Sequence, residues 1–243
     1  MMSKNKEVKI FSDAQSMAEA FALELFQTLK NNRHRFDIAL SGGSTPKLLF
    51  DILANQYADK MPWKRIHFWW GDERCVPPTN EDSNYGMTVK HLLSKIPMDE
   101  SQIHRVKGEL SPEDAANDYI LEIQSNLNER ANWPIFDLIM LGMGSDGHTA
   151  SIFPHEMNLL HSDKICEVAT HPDSGQKRIS LTGNVINNAN RIYFLISGKK
   201  KAKRISEIMG NLKKAKKLPT SHIEPKQGKI IFFLDQEAAS EIS

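Results

Sequence analysis

The sequence predicts an α/β fold in which a doubly wound, mostly parallel sheet carries helices on both faces. Short apolar runs alternate along the chain with longer segments of helical spacing. Strands that alternate with helices are typical of parallel sheets joined by right-handed crossovers. No internal repeat, low-complexity tract or Gly/Pro/Ser-rich linker divides the 243 residues, so we expect a single domain over 1–243.

The N-terminal half alternates strands and helices. Its apolar runs predict strands at 8–11, 35–40, 65–70 and 136–141. Apolar residues at i, i+3 and i+4 from Met17 to Leu29 predict an amphipathic helix between the first two strands. Pro46 suits the first turn of the next helix, with Ser44 or Thr45 as its N-cap. Further helices are expected at 83–93 and 112–128.

The C-terminal half continues the pattern. Strands are predicted at 165–170, 178–182, 191–197 and 229–234. The lysine-rich segment 199–212 is predicted to be a helix between the last two strands. Its lysines recur around the helix, and a solvated face is the ordinary explanation for most of them.

Composition excludes several classes of protein. The formal net charge is +1, so no global field favours nucleic acid or an anionic membrane. No long apolar run predicts a membrane span, and the first ten residues show no leader pattern, so we expect a cytoplasmic protein. Cys75 and Cys166 suggest neither a disulfide framework nor a thiolate metal site, and no His/Cys/Asp/Glu cluster has metal-ligand spacing.

Three polar loops directly follow predicted strands, at 41–46, 71–87 and 142–154. In doubly wound sheets, ligands bind at the carboxyl ends of the strands, near a topological switch point. The three loops are therefore expected to converge on one edge of the sheet and form a site.

The first loop reads "SGGSTP" and joins a strand to a helix N-terminus. Free backbone N–H groups and the positive end of a helix dipole attract anions, and two glycines allow a close approach. We therefore interpret Ser41, Gly42, Gly43, Ser44 and Thr45 as a phosphate-binding loop. The alternative is a turn that only reverses the chain, since neither the P-loop nor the dinucleotide pattern is present.

The second loop begins "GDER" after two tryptophans. For Glu73 we favour an internal ion pair with Arg74 at the strand end. Arg74 could instead present its guanidinium to a carboxylate, a phosphate or a developing oxyanion.

The third loop, "GMGSDGHTASIFP", gives the most specific indication of catalytic chemistry. A histidine exchanges protons near neutral pH, and Gly147 permits a turn that brings Asp146 close to His148 or to a substrate. A histidine that caps a following helix is the alternative, but the position at the ligand-binding edge favours proton chemistry. Arg178 opens a later strand, and one lysine of 199–201 could reach a phosphate.

Together these motifs resemble the glucosamine-6-phosphate isomerase/6-phosphogluconolactonase family. The resemblance rests on five ordered segments along nearly the whole chain: "SGGSTP", "GDER" with "DSNYGM", "GMGSDGHTASIFP", "RISLT" and "SGKKKA". It implies a Rossmann-like, glucosamine-6-phosphate deaminase-like fold. It also implies hydrolysis of 6-phospho-D-glucono-1,5-lactone to 6-phosphogluconate, in the oxidative pentose phosphate pathway, without a cofactor or metal.

The resemblance also implies roles for individual residues. His148 resembles the family's general base, which activates a water; Asp146 would orient the imidazole or the water, and Arg74 would steady the substrate or the oxyanion. The predicted catalytic residues are His148, Asp146, Arg74 and Asp72. The predicted phosphate clamp is Ser41, Gly42, Gly43, Ser44, Thr45, Arg178 and Lys201. The expected partner is a small phosphorylated sugar lactone, bound by a monomer or weak homo-oligomer.

Two rival functions stay open at this level. A glucosamine-6-phosphate deaminase would need a further carboxylate near the histidine, and the deaminase pattern has an acid where this chain has Phe153. A non-catalytic sugar-phosphate-binding module could dispense with His148 altogether.

Overall fold

The computed structural model describes residues 6–242, so part of the segment in which no leader pattern was found lies outside the described residues. The strands are β1 Lys6–Phe11, β2 Phe36–Leu40, β3 Ile66–Trp70, β4 Asp72–Arg74, β5 Glu129–Arg130, β6 Trp133–Pro134, β7 Leu138–Leu141, β8 Cys166–Thr170, β9 Lys177–Leu181, β10 Arg191–Ile196 and β11 Lys229–Asp235. The α-helices are α1 Ala14–Asn31, α2 Ser44–Gln56, α3 Asn84–His91, α4 Pro112–Asn126, α5 Gly183–Ile186, α6 Ala202–Met209 and α7 Gln236–Ala239. Short 3₁₀ turns include Lys199–Lys201, Lys213–Lys217 and Pro219–His222.

The central sheet has six strands in the order β1-β11-β10-β7-β2-β3, and every neighbouring pair is parallel. The chain moves outward from β2 to β3, and then returns to the other side of β2 as β7 before it continues to β10 and β11. This reversal between β2 and β7 is the topological switch point. The predicted doubly wound α/β class is confirmed.

The strands predicted at 165–170 and 178–182 are present, but they lie outside the central parallel sheet. They are β8 and β9, which form a separate antiparallel sheet in the order β4-β9-β8. A turn at 171–176 joins them directly. Two strands joined by so short a turn can only pair antiparallel, because a parallel partner needs a crossover.

Side chains of the central strands alternate between two hydrophobic cores. On β10, Phe194 and Ile196 pack on one face with residues of α4, α6 and β9, whereas Tyr193 and Leu195 pack on the other face with residues of α1 and α2. Because both faces are covered, the strands read as continuous apolar runs. The carboxyl edge of the sheet is left to carry polar loops.

The helices follow the sequence with local differences. α1 begins after Asp13, whose side chain accepts a hydrogen bond from the Ser16 amide at 2.7 Å. The helix predicted at 199–212 is instead a 3₁₀ turn followed by α6, which ends before Gly210 and the positive φ of Asn211. Within residues 6–242, none of the helices combines the length and apolarity needed to cross a bilayer.

Candidate active site

The three predicted loops meet at the switch point. β2 and β7 are neighbours, and their carboxyl ends lead into the loops that begin at Ser41 and Gly142. A cleft of about 270 Å³ opens between them. Ten of the eleven predicted site residues line this cleft: Ser41, Gly42, Gly43, Ser44, Thr45, Asp72, Arg74, His148, Arg178 and Lys201. The eleventh, Asp146, contacts His148.

The glycine loop leads directly into α2. Gly43 is the N-cap with a φ of 107°, which only glycine adopts readily, so the predicted N-cap at Ser44 or Thr45 is wrong. Ser44 and Thr45 lie in the first turn instead, where their amides have no intrahelical partner. The Thr45 hydroxyl lies 2.8 Å from that of Ser197, which ties the loop to the end of β10. The arrangement presents a helix N-terminus to an anion in the cleft.

Two arginines lie side by side in the antiparallel sheet. Arg74 on β4 is directly opposite Arg178 on β9. Both Nε atoms are buried, and neither has a hydrogen-bond partner among the described residues. Burial lowers the pKa of Arg178, and the neighbouring charge of Arg74 lowers it further. Both arginines line the cleft, and two adjacent guanidiniums can together bind an oxyanion or a phosphate.

Glu73 does not form the predicted ion pair with Arg74 among the described residues. Its carboxylate accepts hydrogen bonds from the backbone amides of Arg74, Asn84 and Tyr85 at 2.7 to 2.8 Å, and from the Ser83 hydroxyl at 3.1 Å. Four donors from the start of α3 and its own strand therefore satisfy the carboxylate. Burial raises the pKa of this carboxyl group, although the backbone hydrogen bonds oppose the shift.

Asp72 lies in the floor of the cleft. Its Oδ2 accepts a hydrogen bond from the Ser151 hydroxyl at 2.7 Å, and its backbone carbonyl accepts one from the Asn84 side chain at 2.9 Å. The carboxylate is buried near Arg178, and its charge opposes the lowering of the Arg178 pKa. The side chain of Asp72 is thus held by Ser151, and its backbone by Asn84 at the start of α3.

His148 and Asp146 form a pair at the mouth of the cleft. Nδ1 of His148 lies 2.7 Å from Oδ1 of Asp146, which also accepts the His148 backbone amide at 3.1 Å. Burial raises the pKa of Asp146, but the hydrogen bonds and charge of His148 outweigh it and bring the pKa to about 2. An ionised Asp146 favours the tautomer with a proton on Nδ1, which leaves Nε2 free to accept one.

The surroundings of the imidazole leave it accessible. The His148 side chain is 25% exposed, and its ring packs against Phe153 with 4.8 Å between centroids. Lys201 lines the same cleft from the end of the 3₁₀ turn Lys199–Lys201, which follows β10. Burial lowers the pKa of the Lys201 amine, and the charge of Asp146 partly restores it. The cleft therefore combines a base with several groups that attract anions.

Sequence reasoning missed three polar residues of the site: Asn84, Ser151 and Ser197. Asn84 and Ser197 line the cleft, and Ser151 orients Asp72. Each lies inside a segment that carries the family resemblance, so position within those segments was the available signal. Their hydrogen-bond partners are distant in the chain, so the sequence could not indicate which residues they contact. In the described part of the chain, no group of three or more His, Cys, Asp or Glu residues could hold a metal ion.

Comparison with known proteins gives consistent results. The profile of the family described as glucosamine-6-phosphate isomerases/6-phosphogluconolactonase matches residues 12–232. A 6-phosphogluconolactonase from Treponema pallidum is 45% identical over 82% of this chain and 82% of its own. Among solved structures, the devB protein superposes with a TM-score of 0.93 at 38% identity and covers 98% of this chain and 100% of its own. The 6-phosphogluconolactonase from Leishmania guyanensis has a TM-score of 0.84 at 27% identity, with 96% and 97% coverage.

Proposed function

Because this chain belongs to the glucosamine-6-phosphate isomerase/6-phosphogluconolactonase family, we propose that it hydrolyses 6-phospho-D-glucono-1,5-lactone to 6-phosphogluconate. One observation carries the proposal: the imidazole oriented by Asp146 opens into the same cleft as the glycine loop, Arg178 and Lys201. A base and an anion site that share one cleft suit a phosphorylated ester.

In the proposed reaction, Nε2 of His148 takes a proton from water as the water oxygen bonds to the lactone carbonyl carbon. The carbonyl oxygen becomes an oxyanion. When the bond from that carbon to the ring oxygen breaks, the imidazolium returns its proton to the ring oxygen, which becomes a hydroxyl group. The new carboxylic acid then ionises to the carboxylate. The negative charge of Asp146 stabilises the imidazolium between the two transfers.

The cationic groups divide between two anions in this scheme. We assign the substrate phosphate to the glycine loop, Arg178 and Lys201, as the resemblance implies. Arg74 lies beside Arg178 and lines the cleft, so its guanidinium can stabilise the carbonyl oxyanion or share the phosphate. Asp72, held by Ser151, would accept a hydrogen bond from a sugar hydroxyl.

The environment of His148 supports a lactonase over an isomerase/deaminase. Where the deaminase pattern has an acid, Phe153 is fully buried and packs its ring on the imidazole. The phenylalanine side chain at that position cannot serve as a second carboxylate that transfers a proton to or from a substrate carbon. A non-catalytic binding module would not need the accessible His148–Asp146 pair.

The test measures acid release from the phosphorylated lactone, with spontaneous opening subtracted. We expect His148→Ala to lower kcat by about a hundredfold or more, since it removes the general base. The exposed His161 supplies the control, and His161→Ala should retain the wild-type rate. Ammonia release from glucosamine 6-phosphate would instead indicate a deaminase, and no turnover of either compound would indicate a binding module.

The predicted cytoplasmic location and the monomeric or weakly homo-oligomeric state also stand as proposals. Both cysteines, Cys75 and Cys166, are free thiols, as is usual in a reducing compartment. Burial raises the pKa of Cys75 to about 11, so the thiol is protonated and its proximity to Arg74 does not make it a nucleophile.

A further inference from the structure

Charge is distributed very unevenly along this chain. Residues 199–217, called the basic segment below, contain nine lysines and arginines and a single acid, Glu207. The basic segment thus carries a formal charge of +8, whereas the whole chain carries +1, which leaves −7 on the remainder. The proposed reaction uses only Lys201 from this segment.

Most of these charges face solvent without a partner. Seven lysines of the basic segment are exposed: Lys199, Lys200, Lys203, Lys213, Lys214, Lys216 and Lys217. The one ion pair within the described basic segment joins Arg204 to Glu207 at 2.8 Å. Exposed lysines whose side chains form no ion pair contribute a positive potential around this part of the surface, which is strongest at low salt.

The basic segment packs against the loop that carries His148. The Arg204 Nε donates to the Ser145 carbonyl at 3.3 Å. The 3₁₀ turn of Lys213–Lys217 leads into Leu218, which packs on Gly147, and into Thr220, whose hydroxyl donates to the Gly147 carbonyl at 2.9 Å. At its other end, Lys201 lines the cleft itself. The basic segment therefore lies beside the loop that forms one side of the cleft.

We propose that the basic segment is an electrostatic funnel that draws dianionic sugar phosphates into the cleft. The choice of a sugar phosphate as the anion rests on the proposed function. The attraction of anions by the basic segment rests on the charge distribution alone. A concentration of one sign of charge beside a cleft raises the local concentration and the association rate of an oppositely charged ligand. Nucleic acid is a poorer fit, because the basic segment contains no aromatic residue on which bases could stack. A membrane surface is a poorer fit as well, because Leu212 is the only large apolar side chain exposed in the described basic segment.

The test replaces four lysines that lie outside the cleft. In the variant with Lys213, Lys214, Lys216 and Lys217 each changed to Gln, we expect kcat/KM for the lactone to fall about three- to tenfold at about 10 mM ionic strength. The change should come from KM, with kcat unaltered. Near 150 mM, where the Debye length falls from about 30 Å to about 8 Å, the difference from wild type should shrink to less than about twofold.

A matched control removes the same charge elsewhere. Lys30, Lys60, Lys64 and Lys90 are exposed, and none lines the cleft. Changing these four to Gln lowers the net charge equally and should leave kcat/KM and its salt dependence at wild-type values. An equal loss in both variants, or wild-type kinetics that do not change with salt, would overturn the proposal.

Binding separates this proposal from the proposed function. Calorimetric titration of 6-phosphogluconate into His148→Ala protein, with and without the four-lysine change, measures the binding affinity in the absence of turnover. We expect the four-lysine change to weaken binding about three- to tenfold at low salt. If the wild type fails to open the lactone while binding still shows this loss, the lactonase assignment fails and the funnel stands. Unchanged sugar-phosphate binding with weakened binding to RNA would assign the basic segment to nucleic acid.

Discussion

At the scale of single residues, the His148–Asp146 pair depends on Gly144. A Cβ atom placed on Gly144 would lie 2.2 Å from Nδ1 of His148 and 2.4 Å from Oδ1 of Asp146. Carbon atoms do not approach so closely, so any larger residue must displace the pair. The glycine thus provides the space in which the carboxylate meets the imidazole.

We therefore expect Gly144→Ala to lower kcat about tenfold or more, because a displaced Asp146 no longer orients His148, the proposed general base. The free energy of unfolding should change less than for a buried core substitution, since the side chains that must move are partly exposed. Steady-state kinetics and urea unfolding measure the two effects. For comparison, a Cβ on Gly71 would meet its nearest neighbour at 3.5 Å, and Gly71→Ala should remain active. Full activity of Gly144→Ala would show that the His148–Asp146 pair does not depend on a glycine at position 144.

At the scale of secondary structure elements, one carboxylate on β4 holds the start of α3. Glu73 accepts the amides of Asn84 and Tyr85, the first two residues of α3, although it lies eleven residues before the helix. Asn84 in turn bonds the Asp72 carbonyl and lines the cleft. Through Glu73, the stability of a helix is coupled to the shape of the site.

We expect Glu73→Ala to lower the free energy of unfolding by about 2 kcal/mol or more, since it leaves several buried donors unpaired. KM should rise as well, because Asn84 and Arg74 lose their support. The exposed Glu81 in the same loop provides a control, and Glu81→Ala should match the wild type in both measurements. Urea unfolding and steady-state kinetics test the coupling; a loss of stability with unchanged KM would show that Glu73 acts on the fold alone.

At the scale of the whole molecule, we expect a pair formed by the half-buried His67 and the buried His104 to make the fold sensitive to acid. Nδ1 of His67 lies 2.8 Å from Nε2 of His104, whose Nδ1 lies 2.6 Å from Glu122. Burial lowers the pKa of both rings, with Arg35 adding to the shift at His67, while Glu122 and Asp37 oppose it. The folded state therefore holds the pair neutral.

A histidine whose pKa is lowered by folding stabilises the fold fully above its unfolded pKa and progressively less below it. We expect the free energy of unfolding to fall as the pH drops below about 6.5, the ordinary histidine value. The double variant His67→Gln with His104→Gln should show a smaller slope between about pH 7 and about pH 5. Urea unfolding across this range measures the slope, with the exposed His34→Gln as control. An equal slope in the double variant would contradict the expectation.

The single domain predicted for 1–243 remains a proposal with a structural reason. The two hydrophobic cores lie on opposite faces of the same sheet, and each strand such as β10 contributes side chains to both. Loss of either core would expose apolar side chains of every shared strand. We expect far-UV circular dichroism and tryptophan fluorescence to follow one coincident urea transition. Two separated transitions would indicate independent units.

The sequence by itself determined the fold class and the edge at which the site forms. Apolar runs that alternate with helical segments predict a parallel sheet, and loops after parallel strands must meet at one edge. For that reason the glycine loop, Arg74 and His148 could be placed in one site from residue order alone. Local chemistry left two places for Asp146, close to His148 or close to a substrate, because only Gly147 separates the two residues. The structure shows the contact with His148.

Only the tertiary structure decided which distant residues touch. The opposition of Arg74 and Arg178 depends on the antiparallel register of β4 and β9, and the partners of Glu73 depend on where α3 packs. Local periodicity reports which face of an element is buried, but it contains no information on which strand lies beside which. The second sheet, the Ser151–Asp72 contact and the position of the basic segment beside Gly147 all follow from such long-range packing, and for that physical reason they could not be predicted from the sequence.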